Sequence, residues 1–580
     1  MRSLPSPPLS AFQDKEAITT IQTRPELFKV VTPIDVDHFE LYLRDHPNRP
    51  LVESVVRSLR NSFWPFADTE GKAFPETWDE PALGPLSVTE HEFVTSYSTE
   101  EVTLGRYSAD FGSELLPGMY SMPIHAVPKP NSEKLRLINN HSAGQWALNA
   151  MIDKTKVGMR PDNMQDLGKN LLHLRHEKGN IPLWLFKSDV KNAYRLLPVH
   201  PLWQMKQVVT VTAPDGTVQR YIDRCLCFGS RGSPDIWITF MALVIWIAVR
   251  VRWLEGINLY MDDVYAYDED GNLVLYKPYG VKMPCKQAEL LRLWNELCIP
   301  HTQEKQLYGR ALTIIGFHVD ADAMTISLPD TKPLELVAAI CDFCASADRR
   351  RTLREWQRLL GWINWGLNVL PLARPGLQSS YEKLAGKTGH PFFRIYLNKR
   401  TIRNLLWTAD QFATHCGVHM LHARAWTAEE ADLTIFCDAS LDGMGIWCPQ
   451  RWQTLAMLTV LSALRWASSL PRTHTDRPLR LAIFTDRPLQ LAIFTDNLNT
   501  VHIFDSLCAS GHYTDILLSA CSLLIQSTPA VDLRVWHVPG VVNVVADVLS
   551  RKLFLVVRQY CDSLDFFMPP RWTPQGGLDL

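Results

Sequence analysis

Residues 258–267 read NLYMDDVYAY, with two adjacent carboxylates, Asp262 and Asp263, inside an otherwise apolar and aromatic run. Successive side chains of a regular strand point to opposite faces, so both acids cannot share one core. A buried, unpaired carboxylate costs several kcal/mol. The pair is therefore expected at a hairpin apex, where both acids reach solvent or metal.

A second acid-bearing run complements the first. LWLFKSDVKNAY (183–194) is β-like and apolar up to Asp189, with Tyr194 five residues further on. A strand-terminal Asp and a hairpin-apex Asp pair on neighbouring strands suit two divalent cations about 4 Å apart. Carboxylate oxygens fit Mg²⁺ (or Mn²⁺), which keeps several waters and takes further ligands from phosphates. Such a clamp serves in-line displacement at a nucleotide α-phosphate, activating a 3′-hydroxyl and stabilising the leaving pyrophosphate.

The bulk properties allow this chemistry without advertising it. The chain has 580 residues, 46% hydrophobic and 21% charged, which suffices for several domains with sizeable cores. Its formal net charge of -2 excludes a globally basic protein, so any nucleic-acid surface must be a local patch. Twelve scattered cysteines, and an N-terminus (MRSLPSPPLS) without an apolar h-region, lead us to expect free thiols and an intracellular setting, nucleus or cytoplasm. Cys341 and Cys344, the one CxxC, read as reduced helix cysteines because no second pair accompanies them. The apolar run IWITFMALVIWIAV (236–249) has the length of a buried core helix, not of a membrane span. Ser233 is its expected N-cap and Pro234 its first residue.

Five regions follow from the patterning. Residues 1–110 form a Pro-punctuated extension with one amphipathic helix at 51–63. Residues 111–330 alternate β-like and helical runs, an α+β pattern. Residues 331–430 look mostly helical, 431–552 return to strands and helices, and 553–580 form a tail. Within the fourth region DRPLRLAIFT (476–485) is followed at once by DRPLQLAIFT (486–495), the copies differing only at Arg480 and Gln490. One copy can hold a given place in a sheet, so the extra ten residues are expected to bulge from its edge.

YMDD (260–263) with FKSDVKNAY (186–194) resembles the palm of reverse transcriptases. The resemblance runs in order through VPKPNSEKLRLINNHS (127–142), CFGSRGSP (227–234), QEKQLYG (303–309) and IIGFHVD (314–320). GRYSADFGSELLPGMYSMPIHAVPKP (105–130), LAIFTDNLNTVHIF (491–504) and HVPGVVNVVADVLSR (537–551) are similar to retrotransposons of the DIRS type, whose elements use a tyrosine recombinase. It implies a right-hand polymerase (fingers and palm at 111–330, thumb or connection at 331–430) and a ribonuclease H-like α/β domain at 431–552. The implied activity is RNA-directed DNA synthesis from dNTPs on an RNA template and DNA primer, with no membrane and with other retroelement proteins as possible partners.

Carried over by position, Asp189 and Asp262 are the principal metal ligands, Asp263 a supporting acid and Lys305 a proton donor to pyrophosphate. Tyr194 is the steric gate against a ribose 2′-hydroxyl. Lys129 and Arg136 grip the triphosphate, and Phe228, Gly229 and Gly232 form the loop beside the incoming nucleotide. Asn139-Asn140 departs from the family, which usually carries an acid near the end of RLI. In RRRTLREWQRLLGWINWG (349–366), Leu353, Trp356, Leu360 and Ile363 share one helical face, while Arg351, Arg354 and Arg358 line another suited to phosphates.

DLTIFCDASLDGMGIW (432–447) resembles the first strand of ribonuclease H. Asp438, Asp496 and Asp547 are its implied acids on an RNA–DNA hybrid. The fourth acid should fall on a helix near RWQTLAMLTVLSALRWA (451–467), where Gln453 stands in place of Glu, and hydrolysis is expected to be impaired. Asp496 is preferred over Asp486 because a helix opens after it from Asn497 or Asn499, whereas Arg487-Pro488 makes a turn. His537 reads as structural. Two rivals remain: a decayed or domesticated copy that binds nucleic acid without catalysis, and an RNA-dependent RNA polymerase, against which Tyr194 argues.

Overall fold

The computed structural model describes residues 2–70, 73–81, 84, 86–128, 134–213, 215–345, 347–387, 390–415, 417–420, 426–440, 444–449, 453–455, 488–510, 513–527, 531–560 and 565–566, excepting the side chains of Met444, 453–455, Arg558 and 565–566. The fold is α+β. The chain divides into two compact units, Met1–Ile315 and Gly316–Leu580.

In the first unit, helices α1 (Val36–Tyr42) and α2 (Arg49–Asn61) precede the sheets. The Asn48 side chain accepts from the Leu51 amide and Pro50 occupies the first turn, so α2 starts two residues before the apolar run. It ends where Ser62 turns left-handed at φ +90°. Leu51, Val52, Val55, Val56 and Leu59 are buried at helical spacing. They share one apolar core with the sheet below, and Phe39 packs on Phe240 with ring centroids 5.4 Å apart. Helix α3 (Val88–Thr103) opens on a Ser87–Glu90 capping box.

Strands β1 (Ile124–Pro128) and β2 (Leu135–Asn139) form an antiparallel hairpin, as do β4 (Val208–Thr212) and β5 (Val218–Ile222). Between them in sequence lies β3 (Leu183–Val190). Helix α4 (Ser233–Arg250) is followed by β6 (Asn258–Tyr260), β7 (Asp263–Glu269), α5 (Cys285–Glu296) and β8 (His301–Gly309). The central sheet has the order β8-β3-β7-β6, antiparallel throughout.

Helix α4 alone, among the described residues, is long and apolar enough to cross a membrane, and 67% of its window is buried. Ile236, Trp237, Phe240, Met241, Val244 and Ile247 are fully enclosed. Its N-cap is Gly232, not the expected Ser233. A Cβ on Gly232 would lie 2.5 Å from the Pro65 carbonyl oxygen, so only glycine fits the approach to the helix. Ser233 Oγ is left buried without a partner. Asp235 is itself buried and accepts from the Gly158 and Met159 amides at 2.7 and 2.8 Å.

The second unit begins with α6 (Lys332–Cys344), β9 (Arg350–Thr352), α7 (Leu353–Gly366), β10 (Arg394–Tyr396) and α8 (Lys399–Thr414). Cys341 and Cys344 are free thiols on α6, and burial pushes the Cys344 thiol up to about 11. Leu353, Trp356, Leu360 and Ile363 are buried along α7, while Arg354 and Arg358 are exposed. Arg351 is not on that helical face. It precedes the Thr352 N-cap, in β9, and its Nε donates to the Phe343 carbonyl at 3.1 Å.

A six-stranded sheet closes the chain: β11 (Leu433–Ala439), β12 (Met444–Cys448), β13 (Gln453–Leu455), β14 (Leu489–Thr495), β15 (Val531–His537) and β16 (Asp565–Phe566), in the order β15-β14-β11-β12-β13-β16. β12 runs antiparallel to β11, whereas β14 and β15 continue parallel on its other side. Parallel neighbours need crossovers, and helices α9 (Leu498–Ser506), α10 (Tyr513–Gln526) and α11 (Val544–Ser550) lie among these strands. This is the ribonuclease H-like α/β class. The second copy of the duplication supplies β14, an inner strand with Leu491, Ala492 and Ile493 buried. The first copy, 476–485, and Asp486, which opens the second, lie outside the described residues.

Candidate active site

The alternation of β3 separates two chemistries. Phe186 and Val190 face the core with Val264 and Ala266 of β7. Lys187 and Asp189 point the other way. Asp189 stands directly opposite Asp263 in the β3–β7 register, and Lys187 opposite Tyr265. Tyr260 pairs with Asp263 across the β6–β7 hairpin, leaving Met261 and Asp262 as its two-residue turn. Met261 takes a left-handed φ of +55°, which costs on the order of 1 kcal/mol for a residue with a Cβ. The turn is tied at both ends. Trp237 Nε1 donates to the Met261 carbonyl at 2.9 Å, and the Val190 amide donates to the Asp262 carbonyl at 3.3 Å. Only Asp262 is therefore at the apex; Asp263 is the first residue of the return strand.

Burial beside neighbouring acids raises the protonation tendency of Asp189 and Asp263. Burial pushes Asp263 up to about 6, aided by the charges of Asp262 and Asp189 and opposed by Lys187. Burial also raises Asp189, and the Asp262 charge adds to this while Lys305 opposes it. The countercharges are specific: Lys187 Nζ lies 3.0 Å from Asp263 Oδ2, and Lys305 Nζ 2.6 Å from Asp189 Oδ1. Lys305 reaches Asp189 from the edge strand β8, and Gln306 beside it donates to the Asp189 carbonyl at 3.2 Å. Among the described residues no group of three or more His, Cys, Asp and Glu stands ready-made around a metal ion. The donor chemistry nevertheless suits a hard divalent cation, which takes few protein carboxylates and completes its shell with water and phosphate.

Tyr194 follows a sharp turn in which Asn192 and Ala193 both take positive φ, +66° and +22°. Its ring lies 4.8 Å from Phe228 and 6.2 Å from Trp237, centroid to centroid. Burial, then the Asp262 charge, lift its hydroxyl to about 12, so it is neutral and close to the acid cluster. Arg136 on β2 sits over the Phe228 ring at 5.2 Å. Gly229 has φ +116°, and a Cβ there would meet the Asn139 carbonyl oxygen at 1.7 Å. The Asn139 amide donates to the Phe228 carbonyl at 3.0 Å, which joins the β2 end to this loop. Tyr194, Phe228, Gly229 and Arg136 thus form one neighbourhood, with Gly232 behind it at the start of α4. Lys129 lies outside the described residues.

Three features of the site were not read from sequence. Lys187 lies within the β-like run, and its spacing of two from Asp189 is the signal that puts both on one face. Trp237 is one of 19 tryptophans, and nothing in its context marks it as the clamp on the hairpin. Arg195, beside Tyr194, is fully enclosed: Nη1 donates to both Asp223 carboxylate oxygens at 2.7 and 2.8 Å, and Nη2 to Glu101 Oε2 at 2.6 Å. Such a buried network fixes the backbone at Tyr194 to helix α3.

A second acid cluster lies on the C-terminal sheet. Asp438 is buried near the end of β11, and Ser550 Oγ of α11 donates to its Oδ2 at 2.7 Å. Asp496 follows β14 directly, and Asn497 caps α9 by accepting from the Asn499 and Thr500 amides. Burial, then the charges of Asp438 and Asp547, raise the Asp496 carboxyl. Asp547 pairs with Arg551 at 2.8 Å. Gln453 does not lie on a helix, as expected above. It opens β13 opposite Cys448, three residues along β12 from the Gly445 that faces Asp438. Two strand spacings and that offset separate the Gln453 and Asp438 backbones by roughly 14 Å. Its side chain is outside the described residues.

No protein-family model matches the chain. Over 235 residues it is 25% identical to the Gag-Pro-Pol polyprotein of Mason-Pfizer monkey virus, a match covering 39% of this chain and 12% of that one. The polyprotein of Simian retrovirus SRV-1 is 24% identical over 243 residues, with the same coverage of 39% and 12%. The similarity is to retroelement pol sequence. The chain spans about an eighth of the length of these curated relatives. Among solved structures, the foamy viral protease-reverse transcriptase in complex with dsDNA has a TM-score of 0.43 at 12% identity, covering 94% of this chain and 99% of that one. The same enzyme in complex with an RNA/DNA hybrid also scores 0.43, at 14% identity over 89% and 65%. Likeness at that level is too loose to bear on the site.

Proposed function

We propose that the chain is an RNA-directed DNA polymerase of a DIRS-type retrotransposon, extending a DNA primer on an RNA template with dNTPs. The observation that carries this reading is the β3–β7 register, which sets Asp189 opposite Asp263 one residue from the Asp262 turn. Bound divalent cations, Mg²⁺ or Mn²⁺, would supply Lewis acidity at the α-phosphate and at the attacking 3′-hydroxyl. Asp189 and Asp262 would hold them, with Asp263 completing the negative field. Lys305, which meets Asp189 at 2.6 Å, would exchange that carboxylate for the leaving pyrophosphate and donate a proton to it. Tyr194 and Phe228 would wall the sugar pocket, Arg136 and Lys129 would take the triphosphate, and Phe228, Gly229 and Gly232 would form the loop beside the incoming nucleotide. Residues 331–430 would act as thumb, with Arg354 and Arg358 following phosphates.

The C-terminal domain is proposed as ribonuclease H-like with impaired hydrolysis. Asp438, Asp496 and Asp547 support that reading, and an uncharged amide at Gln453 in place of a carboxylate would leave two cations poorly neutralised.

Primer extension on poly(rA)·oligo(dT) with Mg²⁺ tests the assignment. Incorporation by the wild type that Asp262→Asn abolishes is the expected result. Nucleic-acid binding by the wild type without incorporation overturns it in favour of a non-catalytic binder. Tyr194→Ala should raise ribonucleotide use; unchanged dNTP preference removes the gate assignment.

A further inference from the structure

The β9–β10 ribbon carries a surface that neither acid cluster uses. Arg350 is the cross-strand partner of Tyr396, and Thr352 of Arg394. Ile395 is 3% exposed, so the alternation of β10 turns Arg394 and Tyr396 outward together. Immediately before the strand, Phe392 and Phe393 are 61% and 51% exposed, and Tyr396 is 48% exposed. Lys387 Nζ lies 5.6 Å from the Phe393 ring centroid.

The platform is rigid. The Leu353 amide donates to the Phe393 carbonyl at 2.8 Å, the Arg354 amide to Pro391 at 2.9 Å, and the Leu397 amide to Arg349 at 2.8 Å. Rings held out on such a frame are not collapsing onto a core of their own. Exposed apolar clusters of this kind mark contact surfaces.

Charge chooses the partner. The segments 348–358 and 387–403 contain ten Lys and Arg against two acids, Asp348 and Glu355, in a chain whose formal net charge is -2. Asp348 is engaged with Arg394 at 2.5 Å, and Glu355 caps α7. From outside the two segments, Asp342, Glu382 and Asp515 face Arg351, Arg400 and Arg403 at 3.8, 3.5 and 2.6 Å, so the ten cations still outnumber these five acids. A polyanion with accessible flat apolar faces satisfies both features at once. Duplex nucleic acid buries its base faces in the stack, whereas a single strand offers them.

We propose that the β9–β10 ribbon binds single-stranded nucleic acid, stacking unpaired bases on Phe392, Phe393 and Tyr396 and setting phosphates against Arg350, Arg394 and Lys387. The proposal rests on the polymerase reading only in placing such a strand, template not yet copied, beside this chain.

Fluorescence anisotropy tests it with the full chain and no dNTPs. The probes are a labelled oligothymidylate of about 20 nucleotides and a blunt duplex of equal length, long enough for several stacked bases. The triple variant Phe392→Ala/Phe393→Ala/Tyr396→Ala should bind the single strand at least about tenfold more weakly, with duplex affinity kept within about twofold. Arg350→Gln/Arg394→Gln should weaken single-strand binding and lower its salt slope by roughly 0.7 per lost phosphate contact. Photocrosslinking of 5-iodouridine oligonucleotide to the wild type should label residues 390–396. Single-strand affinity unchanged in the triple variant, or lost equally for duplex, overturns the proposal, and the first result would reassign the ribbon to a protein partner. Crosslinks confined to other segments also overturn it. A wild type that binds in this ring-dependent way yet incorporates no nucleotide sinks the polymerase reading while leaving the ribbon's role standing.

Discussion

The two acid clusters solve the same electrostatic problem by different means. In the first unit, Asp189 and Asp263 are directly opposed across an antiparallel pair, and two lysines, Lys305 and Lys187, balance them at 2.6 and 3.0 Å. In the C-terminal sheet, Asp438 is held by a neutral hydroxyl, Ser550 at 2.7 Å, and Asp547 by a surface arginine. Register places acids rigidly, because a slip of one residue would turn every side chain to the other face. Lysines there balance the acids directly. Among the described residues, the second cluster has less countercharge at its buried member. The difference teaches that strand-borne acids alone do not make equivalent sites; the groups that neutralise them decide what they accept.

Exchanging acids between the two sites gives the largest effect. Asp189→Asn should cut primer extension by about 10²–10³-fold, the scale of losing one strong electrostatic contact to the transition state. Asp438→Asn should leave extension unchanged. Equal losses in both variants would break the comparison.

Acidity sharpens it next. With Asp263 at about 6, above its ordinary 3.8, divalent-ion-dependent incorporation should fall as pH drops through 6, by about tenfold at pH 5. The sign follows from protons and cations competing for one carboxylate. For stability the sign is opposite: the raised value favours the folded protein below about 3.8, and that contribution fades as pH rises through 6. Lys187→Met removes the opposing charge, so the acid limb should move to higher pH. A limb that stays in place would show that Lys187 does not govern Asp263.

Smaller effects belong to the second cluster. Ser550→Ala removes a buried donor to Asp438 and should cost on the order of 1 kcal/mol in urea unfolding of the full chain, read from the C-terminal domain's transition. Arg551→Gln breaks a half-exposed pair, Arg551 at 57% and Asp547 at 37% side-chain exposure, and should change stability by less than about 0.5 kcal/mol. A larger loss would mean that Arg551 is tied more tightly to the acid cluster than its exposure suggests.

Several elements were legible in advance because local pattern controls them. The run at 183–190 forms a strand over those residues, and 236–249 falls within a buried helix, since apolar spacing and length suffice for both. Positions depending on distant partners were not. The N-cap of α4 is Gly232, where Pro65, far away in sequence, leaves no room for a Cβ. Arg351 looked like part of a helical face, but strand pairing with Ile395 claimed it first. Gln453 entered a strand through pairing with Cys448, which no local propensity announces.

Sequence alone determined which residue types this protein brings to its chemistry: three acids at strand ends and a turn, spaced so that alternation must expose them. Only the tertiary structure decided which cations meet those acids and which ring holds the turn. Alternation is a property of one strand, whereas a lysine's reach and a tryptophan's hydrogen bond depend on where separate strands and helices come to rest.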